Sequence, residues 1–328
     1  FKVADKQYQY RNDAQGMFKT ATNFNDYFGS MKVGELFKQP EMAQTLERIA
    51  DKGVSEFYQG KTADLLVAQM QADKGLITKQ DLKDYKAVWR EPMAVSWRGN
   101  VVYTAPPPSS GGVALAQLLG IKEDRAADFK GVAHNSAQYI HLLAEIEKRV
   151  FADRADYLGD PAFTKVPVDQ LVAKDYLAKR AAQVNPKAIS ATDQVKPGLE
   201  PHQTTHFSIV DKAGNAVSNT YTLNLDYGSG VVVKGAGFLL NDEMDDFSAK
   251  PGAANAFGVI GGDANAIEPG KRMLSSMSPS LMTRDGKVEL VIGTPGGSRI
   301  FTSIFQVMNN LYDYGMPLDK AVAAQRVH

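Results

Sequence analysis

Pro201-His202-Gln203-Thr204-Thr205-His206-Phe207-Ser208 is the stretch from which the chain is best read outward in both directions. Before it, residues 181–203 are polar and contain Asn185-Pro186, Lys196-Pro197-Gly198 and Glu200-Pro201. Proline there prevents regular helix and marks an exposed connector. After it, Phe207-Ser208-Ile209-Val210 opens a run of β-branched residues that predicts a strand. A threonine at such a junction has two readings. Threonines are ordinary strand starters. Alternatively, the Thr204 hydroxyl attacks the carbonyl of Gln203, and water hydrolyses the resulting ester. The cut frees an α-amine on Thr204 whose ordinary pKa of about 7.7–8.0 lets it serve as base for its own hydroxyl near neutrality. The stiff β-branched side chain helps to aim that hydroxyl.

The two sides of the junction differ in periodicity. From Met42 to Leu177 apolar residues recur at three and four: Leu46, Ile49, Val54 and Phe57, then Leu65, Leu66 and Met70, then Tyr139, Leu143, Ile146 and Val150. Short strands are predicted at 93–97 and 100–104, broken by Arg98-Gly99. Beyond Gln203 the runs 207–210, 216–225, 230–233, 237–240 and 288–292 read as strands, with turns at 211–215 and Asp285-Gly286. A last helix is expected from Ile300 to Tyr314. Helices, then antiparallel strands, then a helix make the chain α+β rather than alternating βαβ.

Composition excludes several functions. The 328 residues carry 37 basic and 37 acidic side chains, 27 and 25 before Thr204 and 10 and 12 from it onward. No basic arm is present for nucleic acid. No apolar run reaches the ~18–20 residues that span a bilayer. The absence of cysteine excludes thiol catalysis, disulfides and Cys-ligated zinc. The five histidines, at 134, 141, 202, 206 and 328, lack zinc spacing and read as packing or surface residues.

Four further segments bear on chemistry. Thr220-Tyr221-Thr222-Leu223-Asn224 would put Thr220, Thr222 and Asn224 on one face of a strand. Asn241-Asp242-Glu243-Met244-Asp245-Asp246 is an acidic cluster without calcium-loop spacing. Leu274-Ser275-Ser276-Met277-Ser278-Pro279 sets three hydroxyls before a strand. Gly293-Thr294-Pro295-Gly296-Gly297-Ser298-Arg299 joins a strand to a helix, so its backbone N–H groups can face an oxyanion.

Taken with Gly75–Leu82, Pro106-Pro107-Pro108-Ser109-Ser110-Gly111-Gly112, Phe151–Pro161 and Met244–Ser248, these segments resemble γ-glutamyltranspeptidases (glutathione hydrolases), in order, from about residue 40 to the C-terminus. The resemblance implies the four-layer α-β-β-α sandwich of N-terminal nucleophile hydrolases. Residues 1–203 would belong to a large subunit and 204–328 to a small one, both cut from one precursor and interwoven in a single domain, with both sheets built across the cleavage site. It implies acyl transfer from glutathione and other γ-glutamyl amides, with an amino acid or dipeptide as acceptor, no cofactor or metal, no membrane span, and a periplasmic or secreted location.

Residue by residue, Thr204 resembles the nucleophile and Thr222 the threonine that orients it. Gly296 and Gly297 are similar to the oxyanion-hole pair. Asn224, Glu243 and Asp246 would bind the α-amino group, and Ser275 and Ser276 the α-carboxylate. Phe257 stands on the segment similar to a lid loop, where some members have tyrosine. The family has chain before the point matching Phe1, including a carboxylate-binding arginine, and further strands after His328, so the sequence reads as trimmed at both ends. Two alternatives belong to other functions: a β-lactam side-chain (glutaryl) acylase, which would have no amine for Asp246 to pair, and an uncleaved, non-catalytic binding relative.

Overall fold

The structure is a computed structural model that describes residues 1–191, 204–250, 252–253 and 261–328. The connector from 192 through Gln203, and Phe257 with its loop neighbours, lie outside the described residues. The chain forms two compact units, and each draws on sequence from both sides of Thr204.

The first unit combines residues 1–89 with 223–242. Its helices are α1 (Asp5–Phe18), α2 (Phe24–Phe28), α3 (Pro40–Lys52), α4 (Ser55–Gln59), α5 (Lys61–Ala72) and α6 (Lys79–Asp84). Proline in the first turn of α3 and the Thr78 cap on α6, which accepts from the Asp81 N–H, start helices where the donors would otherwise be orphaned. Leu66, Val67 and Met70 of α5 bury against Val233 and Ala236, and Phe24 and Phe28 of α2 against Val232. Asn23 exchanges two hydrogen bonds with the backbone of Val232, and Thr45 donates to the Ala236 carbonyl. The strands expected at 230–233 and 237–240 reduce to an isolated bridge, Val232 to Leu239. Gly228, Gly230, Gly235 and Gly237 all have positive φ, which turns the backbone too often for a ladder.

The second unit combines residues 90–222 with 243–328. Strands β1 (Met93–Trp97), β2 (Asn100–Thr104), β3 (Thr205–Val210), β4 (Ala216–Tyr221), β5 (Ser280–Arg284) and β6 (Lys287–Ile292) form two antiparallel sheets, β1-β2-β5-β6 and β3-β4. Its helices are α7 (Gly111–Asp124), α8 (Ala126–Phe129), α9 (Ala137–Tyr157), α10 (Val168–Leu171), α11 (Lys174–Ala182), α12 (Arg299–Tyr312) and α13 (Leu318–Ala323). The tight turns at Arg98-Gly99 and Asp285-Gly286 have positive φ at both central positions, the geometry that matches strand twist in hairpins. In the larger sheet β2 pairs with β5, Val102 opposite Met282, so this sheet is built from both sides of the Gln203–Thr204 junction. The smaller sheet is not: β3 and β4 both follow Thr204. The expectation that both sheets cross the junction therefore holds for one of them among the described residues.

Helices α7, α9 and α12 bury Leu115, Leu118, Leu142, Ile146, Phe301 and Phe305 against Val102, Met282 and Leu290 of the larger sheet. Helix α12 starts at Arg299 and ends at Tyr312, two residues before the expected end. His134 packs at a tilt on Tyr139 and edge-to-face on Tyr314, and His141 meets the Asn185 carbonyl at 2.8 Å, so both are packing histidines. The smaller sheet turns its polar side, His206, Ser208, Ser218 and Thr220, toward the larger one, where Ser218 donates to the Ile292 carbonyl. Its other side carries Phe207, Ile209, Val217 and Tyr221, all exposed within this unit. Helix, sheet and sheet are thus three successive layers of the second unit among its described residues.

Candidate active site

The smaller sheet presents the junction threonine. Its register pairs Thr205 with Tyr221 and His206 with Thr220, so one further step sets Thr204 opposite Thr222. Strand alternation gives Thr204 and Thr222 the same side as His206 and Thr220, the polar side that faces the larger sheet. Both threonines are half-buried. Strand β4 ends at Tyr221, and Asn224 adopts φ 75°, so Asn224 does not continue the face of Thr220 and Thr222 as expected. Asparagine tolerates the left-handed region that the turn requires. Asn224 belongs to the first unit, where it is buried and donates to the Asp242 carbonyl at 3.2 Å.

His206 links the threonine strand to the glycine turn. Its Nδ1 meets Thr220 Oγ1 at 2.8 Å and its Nε2 meets Ser208 Oγ at 3.0 Å. Burial pushes the imidazole below its usual pKa, toward a neutral ring that donates through one nitrogen and accepts through the other. The ring lies flat against Gly293: a Cβ built there would come 2.1 Å from His206 Cε1. Only glycine admits that approach. Gly293→Ala is expected to destabilise the protein by about 1–3 kcal/mol through overpacking, read from the denaturant midpoint. Past Gly293, Gly296 has φ 132° and Gly297 φ 55°, and the Arg299 and Ile300 N–H groups close back onto their carbonyls at the start of α12. The turn therefore sits at the positive end of a helix dipole, where backbone donors suit a developing oxyanion.

The two serines sit in a backbone clamp. Ser275 bridges to Ser109 in parallel, the Ser110 N–H donates to the Ser275 carbonyl at 2.7 Å, and the Ser275 N–H donates to the Pro108 carbonyl at 2.9 Å. Ser109 Oγ donates to the Met277 carbonyl at 2.6 Å. The Pro106–Gly112 segment thus holds Ser275 through Ser278 in place. A Cβ on Gly111 would lie 1.9 Å from Ser278 Oγ, so that closeness needs glycine too.

The acidic cluster forms a 3-10 turn, Glu243–Asp246, with Glu243 and Asp246 half-buried. Asn265, which no pattern in the sequence singles out, ties it to the serines. Its Nδ2 donates to the Asp246 carbonyl at 2.7 Å and its Oδ1 accepts from the Leu274 N–H at 3.0 Å. A buried asparagine that serves two backbone segments leaves no periodic or charge signal. Glu243, Asp246, Ser275 and Ser276 are thus drawn together in one unit by a residue that sequence reading misses. Among the described residues no group of three or more His, Cys, Asp or Glu side chains is arranged to hold a metal ion, and no helix is long and apolar enough to cross a membrane.

The structure resembles the γ-glutamyltranspeptidase of Pseudomonas nitroreducens solved with L-DON, at TM-score 0.58 and 71% identity over 60% of this chain and 59% of that one. It resembles the cephalosporin acylase of Bacillus halodurans at TM-score 0.80 and 28% identity over 99% of this chain and 59% of that one. Helices packed on antiparallel sheets, with these neighbours, define the fold as that of the N-terminal nucleophile hydrolases. The Gamma-glutamyltranspeptidase family model matches residues 1–328, and the chain belongs to that family. The glutathione hydrolase proenzyme of Pseudomonas aeruginosa is 79% identical over 328 residues, and that of Escherichia coli K12 is 48% identical over 302. The chain spans 59% of the first of these relatives and 52% of the second. The match includes residues 1–40, which carry none of the motifs of the resemblance.

Proposed function

We propose that this protein cuts itself between Gln203 and Thr204 and then hydrolyses or transfers γ-glutamyl groups through an ester on Thr204. The observation that carries the proposal is the strand register that sets Thr204 opposite Thr222, on the side where His206 packs against the glycine turn. In the first reaction Thr204 Oγ1 adds to the Gln203 carbonyl, the peptide C–N bond breaks and leaves the α-amine on Thr204, and water hydrolyses the ester to release the Gln203 carboxylate and restore the hydroxyl. In the second, that amine takes the proton of Oγ1 as the oxygen attacks the γ-carbonyl. The oxyanion faces the N–H groups of Gly296 and Gly297. The proton then passes to the departing amine as the C–N bond breaks. Water or an acceptor amine resolves the γ-glutamyl ester and restores the hydroxyl.

Burying the two charged ends of a γ-glutamyl group requires partners of opposite character. Glu243 and Asp246 suit its ammonium, and Ser275 and Ser276 its carboxylate. Asn224 keeps its assigned role by resemblance alone, as do Phe257 as a lid residue and a periplasmic or secreted location. The reading of 1–203 and 204–328 as two subunits of one precursor is supported by the way each compact unit takes segments from both.

Two products split at Gln203/Thr204 are expected in the intact mass under denaturing conditions, together with release of chromophore from a γ-glutamyl anilide. An uncut chain, inert after long incubation, would favour the non-catalytic relative and sink the proposal. The likeness to a cephalosporin acylase favours a second reading, a glutaryl acylase. Faster cleavage of a glutaryl anilide than of the γ-glutamyl one would select it.

A further inference from the structure

We propose that Arg154 is a positioning residue for the carboxylate end of the substrate, acting through Ser276; the inference rests on the γ-glutamyl reading above. Arg154 lies near the end of α9 and is 6% exposed. Its Nε donates to Ser110 Oγ at 3.1 Å, and one of its terminal nitrogens donates to Ser276 Oγ at 3.1 Å. One rigid guanidinium therefore joins the N-cap of α7 to the second serine of the pair.

The direction of these bonds matters most. A guanidinium has five donors and no acceptor, so both serine oxygens must accept from it. A hydroxyl has one proton to give. Ser110 gives its proton to the Ser275 carbonyl at 2.8 Å. Ser276 accepts from Arg154, and its own proton has no acceptor among the described residues. Ser275 Oγ is in the same condition, since it accepts from the Met277 N–H at 3.1 Å. Both hydroxyls are half-buried, with donors behind them and protons still to place. Two neighbouring hydroxyls that can only donate outward match the two oxygens of a carboxylate. They mismatch a carboxamide, whose NH2 brings a donor against a donor. The Arg154 charge, one hydroxyl away, strengthens the Ser276 donor and favours an anion over a neutral group. Without Arg154 the Ser276 proton is free to turn inward, and discrimination falls.

The test uses a γ-glutamyl anilide and its α-carboxamide counterpart on wild type, Arg154→Gln, Arg154→Lys and Ser276→Ala, with melting curves to check folding. Arg154→Gln is expected to raise KM for the carboxylate substrate about thirtyfold while kcat changes less than about threefold, the scale of one lost charge-assisted contact. KM for the carboxamide should move less than about twofold, so the KM preference for carboxylate shrinks at least about fifteenfold. In the Ser276→Ala background Arg154→Gln should add little further loss, because the hydroxyl it orients is gone. A folded Arg154→Gln protein that keeps its carboxylate preference, or loses KM equally on both substrates, overturns the inference. If Arg154→Gln does not fold, Arg154→Lys decides: an ammonium serves one serine poorly in place of two, and an unchanged preference overturns the inference in the same way. A wild type inert on both anilides overturns the γ-glutamyl reading, and this inference with it. A wild type active on both, with unaltered variants, overturns this inference alone.

Discussion

Replacing Thr204 with Ala is expected to yield a single uncut chain with no measurable γ-glutamyl transfer. On the proposed mechanism the substitution removes the oxygen that adds to the Gln203 carbonyl, so no ester forms and no α-amine is released. It also removes the acceptor of the γ-glutamyl group. Removing a catalytic nucleophile commonly costs about 10⁶ in kcat. Here base and nucleophile belong to one residue, so both vanish together. Thr204→Ser keeps the hydroxyl but loses the β-methyl that stiffens χ1, so cutting should proceed more slowly and to completion. The Thr204 side chain is half-buried at the end of a strand, and the melting temperature should move little. Intact mass and anilide turnover check both variants. Cutting of the alanine protein at Gln203/Thr204 would sink the mechanism.

The second large effect concerns stability. Glu147 on α9 is buried, and its Oε1 has no hydrogen-bond partner among the described residues. Burial pushes its carboxyl up to about 8 from an ordinary 4.5. Glu145, two residues earlier, is buried as well, but the Lys148 ammonium, both donors of Ser190 and the Arg149 guanidinium outweigh that burial and hold it at about 2. The two carboxyls therefore act in different pH windows. The folded state binds the Glu147 proton more tightly than the unfolded state does. Its contribution is complete below about pH 4.5 and is lost as pH rises through about 8. At 1.36 kcal/mol per pH unit the loss reaches at most about 5 kcal/mol. Glu145, held low, contributes fully above its unfolded value and changes nothing between pH 5 and 8. Melting temperature is therefore expected to fall across pH 5 to 8 in wild type and to stay nearly level in Glu147→Gln. Parallel curves for the two proteins would overturn the assignment.

Much of this architecture was legible in the residues. The α-helical stripes of Leu66–Met70 and Tyr139–Val150 appear where spacing puts them, because burying an apolar face is the main support of a helix in a small domain. The hairpins at Arg98-Gly99 and Asp285-Gly286 follow from residues that accept positive φ. The strands assigned to 230–233 and 237–240 failed because β-branched content says nothing about whether a partner strand lies alongside. The placement of Asn224 on the face of Thr220 and Thr222 failed for a related reason: alternation assumes that the strand continues, but β4 ends at Tyr221 and Asn224 is left-handed.

The amino-acid sequence by itself determined the residue types on which the proposed chemistry rests. A threonine at a linker–strand junction, a glycine turn before a helix, an acidic turn and a serine pair are local patterns whose reactivity depends on residue type. Tertiary structure alone decided which of them meet and in what sense they hydrogen-bond. Asn265 joins the acidic turn to the serine segment across 19 residues on one side and 9 on the other. Arg154 reaches Ser276 across 122 residues. Neither contact has a period, a spacing or a charge run, because a hydrogen bond depends on where two atoms lie in space and not on how far apart they lie along the chain.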